Sequence, residues 1–125
     1  MNDKSIKDCL RAAENGNAEA QFDIGCYYNG QYYNGEDGQK QAFEWFLKAA
    51  EQGHYMAQFN IGAAFTHGEG VERDPIKAYE WYLKSAEQGC KPAQYRIDFL
   101  NENGYHQNPQ KALEMLDIAA SNGEV

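Results

Sequence analysis

The chain has no stretch of roughly 18 or more consecutive apolar residues, the length a helix needs to cross a membrane. Its N-terminal MNDKSIKDCL holds no apolar signal region, so the expected setting is the cytoplasm, with no export and no membrane contact. Basic residues are scarce: 11 Lys+Arg stand against 19 Asp+Glu in 125 residues, a formal net charge of −8. A nucleic-acid binder needs basic surface to displace the counterions of a phosphate backbone, so that class is set aside. The same balance argues, less strongly, against an anionic membrane surface. Cysteine is sparse too. Cys9, Cys26 and Cys90 are an odd number in no metal-binding spacing, which fits free thiols in a reducing compartment. Aromatics, by contrast, reach 14% with nine Tyr, and 42% hydrophobic residues suffice for the core of one small domain.

What is present is a repeat. AAENGNAEAQFDIG from Ala12, AAEQGHYMAQFNIG from Ala49 and SAEQGCKPAQYRID from Ser85 align, and AASNG from Ala119 begins a fourth copy. The spacings are 37, 36 and 34 residues (Ala12 to Ala49, Ala49 to Ser85, Ser85 to Ala119). A second block recurs within each unit: KQAFEWFLKAAEQG from Lys40, IKAYEWYLKSAEQG from Ile76, QKALEMLDIAASNG from Gln110, and a degenerate KSIKDCLRAAENG from Lys4. In that block Ala42, Trp45, Phe46, Ala49 and Ala50 form an apolar stripe of helical period, repeated by Ala78, Trp81, Tyr82, Ser85 and Ala86 and by Ala112, Met115, Leu116, Ala119 and Ala120. Asp74-Pro75 and Asn108-Pro109 supply an N-cap followed by proline at the first helical position. Gly16, Gly53, Gly89 and Gly123 stand where a left-handed C-cap is needed.

The first block predicts a shorter helix, with Ala20, Ile24 and Tyr28 on one face, matched by Ala57, Ile61 and Phe65. Gly25 and Gly62 lie inside it, where glycine costs about 1 kcal/mol against alanine. A repeated costly glycine implies close helix–helix approach. The fold class is therefore all-α: an α-solenoid of helix-turn-helix units with about seven helices, each unit burying its apolar face against its neighbours. The expected divisions are a partial repeat at 1–16, repeats at 17–53 and 54–89, and a third with a C-terminal cap at 90–125. Long loops are expected at Gly30–Gln39 and His67–Arg73.

The combination A-x-x-G-x-x-x-A-Q-x-x-[IL]-G, a Gly-rich turn, then D-x-x-K-A-x-x-W-x-x-K-A-A-E-Q-G resembles the Sel-1-like repeat family, a relative of the tetratricopeptide repeat. Ala57, Gln58, Ile61, Gly62, Phe65, Gly68, Gly70, Val71, Asp74, Lys77, Ala78, Trp81, Lys84, Ala86, Glu87, Gln88 and Gly89 carry the likeness in the second unit. The first unit departs in its turn, GQYYNGEDGQ; the third has Asp98 for the helix glycine, Met115 for Trp and a shortened turn, NGYHQN. The resemblance implies a right-handed solenoid and a non-catalytic scaffold that binds proteins or peptides, commonly in bacterial signalling, secretion and toxin-neutralising roles. The paired cysteines by which some members staple each repeat are absent here.

No catalytic, cofactor-binding or metal-binding constellation is expected. His54, His67 and His106 occupy different repeat positions and never stand at i, i+4. The turn HGEGV lacks the Lys-Ser/Thr of a phosphate loop, and His67 reads as a solvated turn residue. Trp45 and Trp81 read as inter-repeat core rather than binding hot spots. The remaining face of the first-type helices is the candidate partner surface: Phe22, Asp23, Cys26 and Asn29; Phe59, Asn60, Ala63 and Thr66; Tyr95, Arg96, Phe99 and Glu102. Phe22, Phe59 and Tyr95 also suit packing between neighbouring helices, whereas the change Asp23, Asn60, Arg96 is harder to explain by packing. Tyr32 and Tyr33, in the turn with Glu36 and Asp37, form a second candidate, because tyrosine is ordered on binding at low entropy cost.

Charge adds a location. Residues 1–39 carry three bases and seven acids, residues 40–96 seven of each, and residues 97–125 one base and five acids. The expected partner is a protein or peptide with basic character, met by the first repeat and its tyrosine loop, as an adaptor or a toxin-neutralising (immunity) protein would meet it. Two alternatives stand beside it: an enzyme or enzyme-regulatory subunit acting in cell-envelope or polymer metabolism, and a self-assembling scaffold. The chain itself is expected to be a monomer or weak homodimer.

Overall fold

The computed structural model describes residues 2–30 and 36–125. Among these residues there are seven helices and no strand: α1 (Asp3–Glu14), α2 (Ala18–Asn29), α3 (Glu36–Glu51), α4 (Tyr55–His67), α5 (Pro75–Glu87), α6 (Lys91–Glu102) and α7 (Pro109–Ser121). Successive helices pack as α-hairpins stacked along one axis, the solenoid that the repeat predicts.

Local chemistry sets the helix ends. Asn2, Asn17, Asp74 and Asn108 each accept a backbone N–H three residues on, at 2.8–3.1 Å. Such a cap is worth about 1 kcal/mol. His54 caps α4 in the same way, its Nδ1 accepting from Ala57 N at 3.1 Å. Gly53 and Gly89, with φ of +96° and +93°, turn the chain back after α3 and α5. The loops are shorter than the sequence suggests. α3 begins at Glu36, where Asp37 complements the positive end of the helix dipole, and α4 continues through His67 to Gly68 (φ +74°).

The close approach foreseen at the internal glycines is present. A Cβ on Gly25 would sit 2.6 Å from the Phe46 ring, and one on Gly62 would sit 2.7 Å from the Tyr82 ring. Each first-type helix therefore lies directly against the aromatic residue of its partner helix. In the third unit Leu116 replaces the aromatic residue and Asp98 the glycine, so the pairing is lost on both sides together. Ile24, Ile61, Tyr82, Leu100, Leu113 and Leu116 form the fully buried core with a lattice of alanines. Trp45 and Trp81 are only half-buried. Their neighbours Phe46 and Tyr82 take the innermost position on the stripe, and the indoles lie beside it under Lys48 and Lys84, whose ammonium groups stand 4.5 and 4.2 Å from the ring centres. The expectation of tryptophan core is corrected to that extent.

Glutamines tie unit to unit. Buried Gln21 and Gln58 donate to the carbonyls of Ala13 and Ala50, at 3.1 and 3.2 Å, and accept from Gln52 and Gln88, at 2.8 and 2.6 Å. In the third unit the line ends: Gln94 turns to Asp98 at 2.9 Å, and Asn122 stands where a glutamine would reach across. The last helix is fastened differently. Asp117 on α7 accepts from Arg73 in the α4–α5 turn and pairs with His67 at the end of α4. His67 is thus half-buried and engaged, not the solvated turn residue that the sequence suggests.

Candidate functional site

The face expected to bind a partner is only partly a free surface. On α2, Asp23 is half-buried while Cys26 and Asn29 are exposed. Phe22 packs on Phe46 and stacks on the His54 imidazole at 4.7 Å and 21°. On α4, Asn60 and Ala63 are half-buried and Phe59 packs against Tyr82. Thr66 is fully buried: its hydroxyl donates to the Gly62 carbonyl at 2.8 Å and meets the Tyr82 hydroxyl at 3.0 Å. It belongs to the core and supplies no surface, a correction to its place among the binding residues.

On α6, Tyr95 and Glu102 are exposed and Phe99 leans on the core. Arg96 donates to the Tyr82 hydroxyl at 3.0 Å and lies 4.9 Å from the Phe59 ring centre. Packing therefore accounts for Arg96, which the variation along its column had marked for recognition. Tyr32, Tyr33 and the side chain of Glu36 lie outside the described residues, and Asp37 is exposed at the start of α3.

Three of the expected residues converge. Asn29, Asn60 and Ala63 line a cleft of about 60 Å³ with Gln39 and Glu69, floored by Phe43 and Phe46. Beside it, α2 carries a concentrated negative field. Glu19 and Asp23 stand one turn apart, and burial together with the Glu19 charge pushes the Asp23 carboxyl above its ordinary range, partly offset by His54. Burial, then Asp23, then Glu19 push the Cys26 thiol up; burial and Asp23 do the same to Cys9. His54 accepts the cap bond on Nδ1, so its proton is on Nε2, which donates to Glu19 at 2.8 Å.

A larger depression lies between α3 and α5. It measures about 610 Å³, with Phe43, Leu47, Phe65, Val71 and Trp81 as its apolar lining and Lys77, Glu80 and Lys84 along the α5 wall. Next to it Gly70 brings the α4–α5 turn close to the start of α3: a Cβ there would lie 2.5 Å from the Gln39 carbonyl oxygen, and its φ is +78°. Sequence reading missed the groove. Its only early signal was the pair Phe43 and Leu47, apolar residues beside the main stripe with no assigned neighbour.

For other chemistry, the titratable residues are dispersed. His67 is held by Asp117, Cys9 donates to the Ala20 carbonyl at 3.5 Å, and Cys90 is buried at the start of α6. Among the described residues no three His, Cys, Asp or Glu side chains are grouped to hold a metal ion. Nor is any described helix long and apolar enough to cross a membrane.

The family model described as Sel1 repeat matches three times, over residues 18–54, 56–90 and 92–124. No curated protein matches the chain. Among solved structures, the chain is similar to a protective antigen present in uropathogenic Escherichia coli strains that displays an SLR fold. That match has a TM-score of 0.73 and 37% identity, covering 87% of this chain and 22% of the antigen chain. A Sel1 repeat protein from Oxalobacter formigenes gives a TM-score of 0.73 and 34% identity, covering 78% of this chain and 73% of that one. The chain thus spans 22% of the length of the first and 73% of the second.

Proposed function

Because the chain belongs to the Sel1 repeat family, whose members are generally protein-interaction modules, we propose that it is a non-catalytic binder that holds a basic protein partner on the α2–α4 face. The observation that carries this reading is the pair Glu19 and Asp23, one turn apart on α2: after burial, their charges help to raise the Asp23 carboxyl and the Cys26 thiol, and His54 offsets them only in part. A lysine or arginine placed over Cys26 and Asn29 relieves that repulsion, so the field favours cationic partners and speeds their approach. Tyr32, Tyr33 and Glu36, expected from the sequence to join this contact, lie outside the described residues or have side chains that do; Asp37 is exposed at the start of α3. Adaptor and toxin-masking roles share this chemistry, and a neighbouring gene encoding a basic toxin domain would favour the second.

The test is association of a fluorescent lysine-rich peptide and its glutamate-rich counterpart. The lysine-rich peptide binds at low salt and is released as salt rises; reversing Asp23 and Asp37 to lysine slows its association. An on-rate at low salt unchanged by those reversals refutes the reading. Self-assembly is a second reading, favoured by Met115 and Ile118 exposed on α7 at 38% and 63%. Light scattering at two concentrations decides it.

A further inference from the structure

The repeat contains its own control for the α3–α5 groove. Gly70-Val71 precedes the cap Asp74-Pro75 as Gly104-Tyr105 precedes the cap Asn108-Pro109, and the two glycines share a left-handed φ, +78° and +81°. Val71 and Tyr105 are therefore the same position in consecutive units. So are Phe43 on α3 and Tyr79 on α5, each 36 residues from its counterpart. In the later unit Tyr105 turns inward, 7% exposed, and stacks on Tyr79 with ring centres 4.2 Å apart and planes at 10°. His106 closes on both rings edge-on, at 5.2 and 6.0 Å. In the earlier unit Val71 is too short to make that contact. Among the described residues Phe43 meets the edge of Phe65, at 5.6 Å and 86°, and together with Val71 it lines the groove of about 610 Å³.

We propose that this groove receives an aromatic side chain of a partner protein, stacked on Phe43 as Tyr105 stacks on Tyr79, with a carboxylate of the same segment on Lys77 or Lys84. The α5 wall supplies the second half. Lys77, Glu80 and Lys84 follow one another at single-turn spacing; with Glu72, Arg73 and Asp74 the charged lining is neutral as a whole, so the two lysines themselves, rather than a net charge, offer places for a carboxylate. Neither lysine is in a salt bridge among the described residues; each ammonium lies near an aromatic ring instead, Lys77 5.7 Å from Phe65 and Lys84 4.2 Å from Trp81. Arg73 is already committed to Asp117, and Asp74 to the cap of α5. A stacked aromatic ring is the contact that dominates protein interfaces, because it buries a large rigid surface at little entropic cost.

The inference rests on the protein-binding reading but uses a different surface from the acidic α2 face, so the two can fail separately. The test is selection from a displayed random-peptide library on four proteins: wild type, Val71→Tyr, Lys84→Glu and Asp23→Lys. Wild type and Asp23→Lys should enrich peptides with Tyr, Phe or Trp next to Asp or Glu. Val71→Tyr, which supplies from within the ring that Tyr105 supplies next door, should weaken those peptides about tenfold or more. Lys84→Glu should weaken the acidic preference, leaving what Lys77 supplies, and keep the aromatic one; it keeps the test standing if Val71→Tyr does not fold by circular dichroism. Failure to enrich aromatic–acidic peptides, or their undiminished binding to folded Val71→Tyr, overturns the proposal. If lysine-rich peptides alone are enriched, and lost only with Asp23→Lys, the groove proposal falls and the basic-partner reading stands.

Discussion

Replacing Gly62 by alanine sets two effects of opposite sign against each other. Helix propensity alone favours alanine at a mid-helix position by about 1 kcal/mol. Packing opposes it. The new Cβ would lie 2.7 and 2.8 Å from two carbons of the Tyr82 ring, whereas ordinary contact begins near 3.4 Å. Tyr82 is fully buried and its hydroxyl is held by Thr66 and Arg96, so the ring has no free direction in which to retreat. Overpacking of this kind costs about 1–3 kcal/mol, and a ring fixed at both ends belongs at the upper end of that span. The net expectation is a loss of about 1–2 kcal/mol, or roughly 4–8 °C in Tm for a chain of this size. Urea unfolding followed by far-ultraviolet circular dichroism measures it. Two companions sharpen the result. Asp98→Ala, where Leu116 replaces the aromatic residue, should be neutral or slightly stabilising. Gly62→Ala combined with Tyr82→Leu should lose less than the sum of the single changes, with a coupling of about 1 kcal/mol or more. A Gly62→Ala variant that is more stable than wild type by the full propensity gain refutes the close-packing account.

Two further outcomes follow from the polar contacts. Gln58→Ala removes two hydrogen bonds, one to the Ala50 carbonyl, which keeps the Gly53 N–H, and one from the exposed Gln88 amide, and should cost about 1–3 kcal/mol. Gln94→Ala, at the end of the glutamine line, should change stability by no more than about 0.5 kcal/mol, again by urea titration. Asp23 has a folded pKa raised above its unfolded value, so its contribution is most favourable when protonated and declines as pH rises through that raised pKa. Asp23→Asn should therefore match wild type in acid and exceed it near neutral pH; a stability difference that does not vary with pH contradicts this. The same variant should speed alkylation of the exposed Cys26 thiol.

The backbone plan was legible because the repeat states it several times over. Periodicity located the helices, and the cap residues Asp74 and Asn108 and the left-handed glycines marked their ends. Gly25 and Gly62 announced a contact whose partners, Phe46 and Tyr82, stood in the other block. The surface was less legible, for identifiable reasons. A helical stripe does not say which of two adjacent large residues lies innermost, so Trp45 and Trp81 were placed deeper than they are. Thr66 and Arg96 look free in a column of sequence, but both converge on the buried Tyr82 hydroxyl, a meeting set by tertiary packing. The α3–α5 groove depends on one position, Val71 against Tyr105, whose meaning emerges only when neighbouring units are superposed. His54 gave no sign of its cap role, because imidazole is an uncommon substitute for the Asn17 and Asp74 side chains in that place.

The link from Asp117 has a mechanical consequence. Stacked hairpins joined only to their neighbours come apart like a zipper, one helix after another, each step resisted by its own small contact. Here α7 reaches past α6 to the α4–α5 turn, so a pull on the C-terminal end loads His67 and Arg73 before α6 bears any tension. The last hairpin is closed like a hasp, and the terminal unit should yield to force as a block rather than helix by helix.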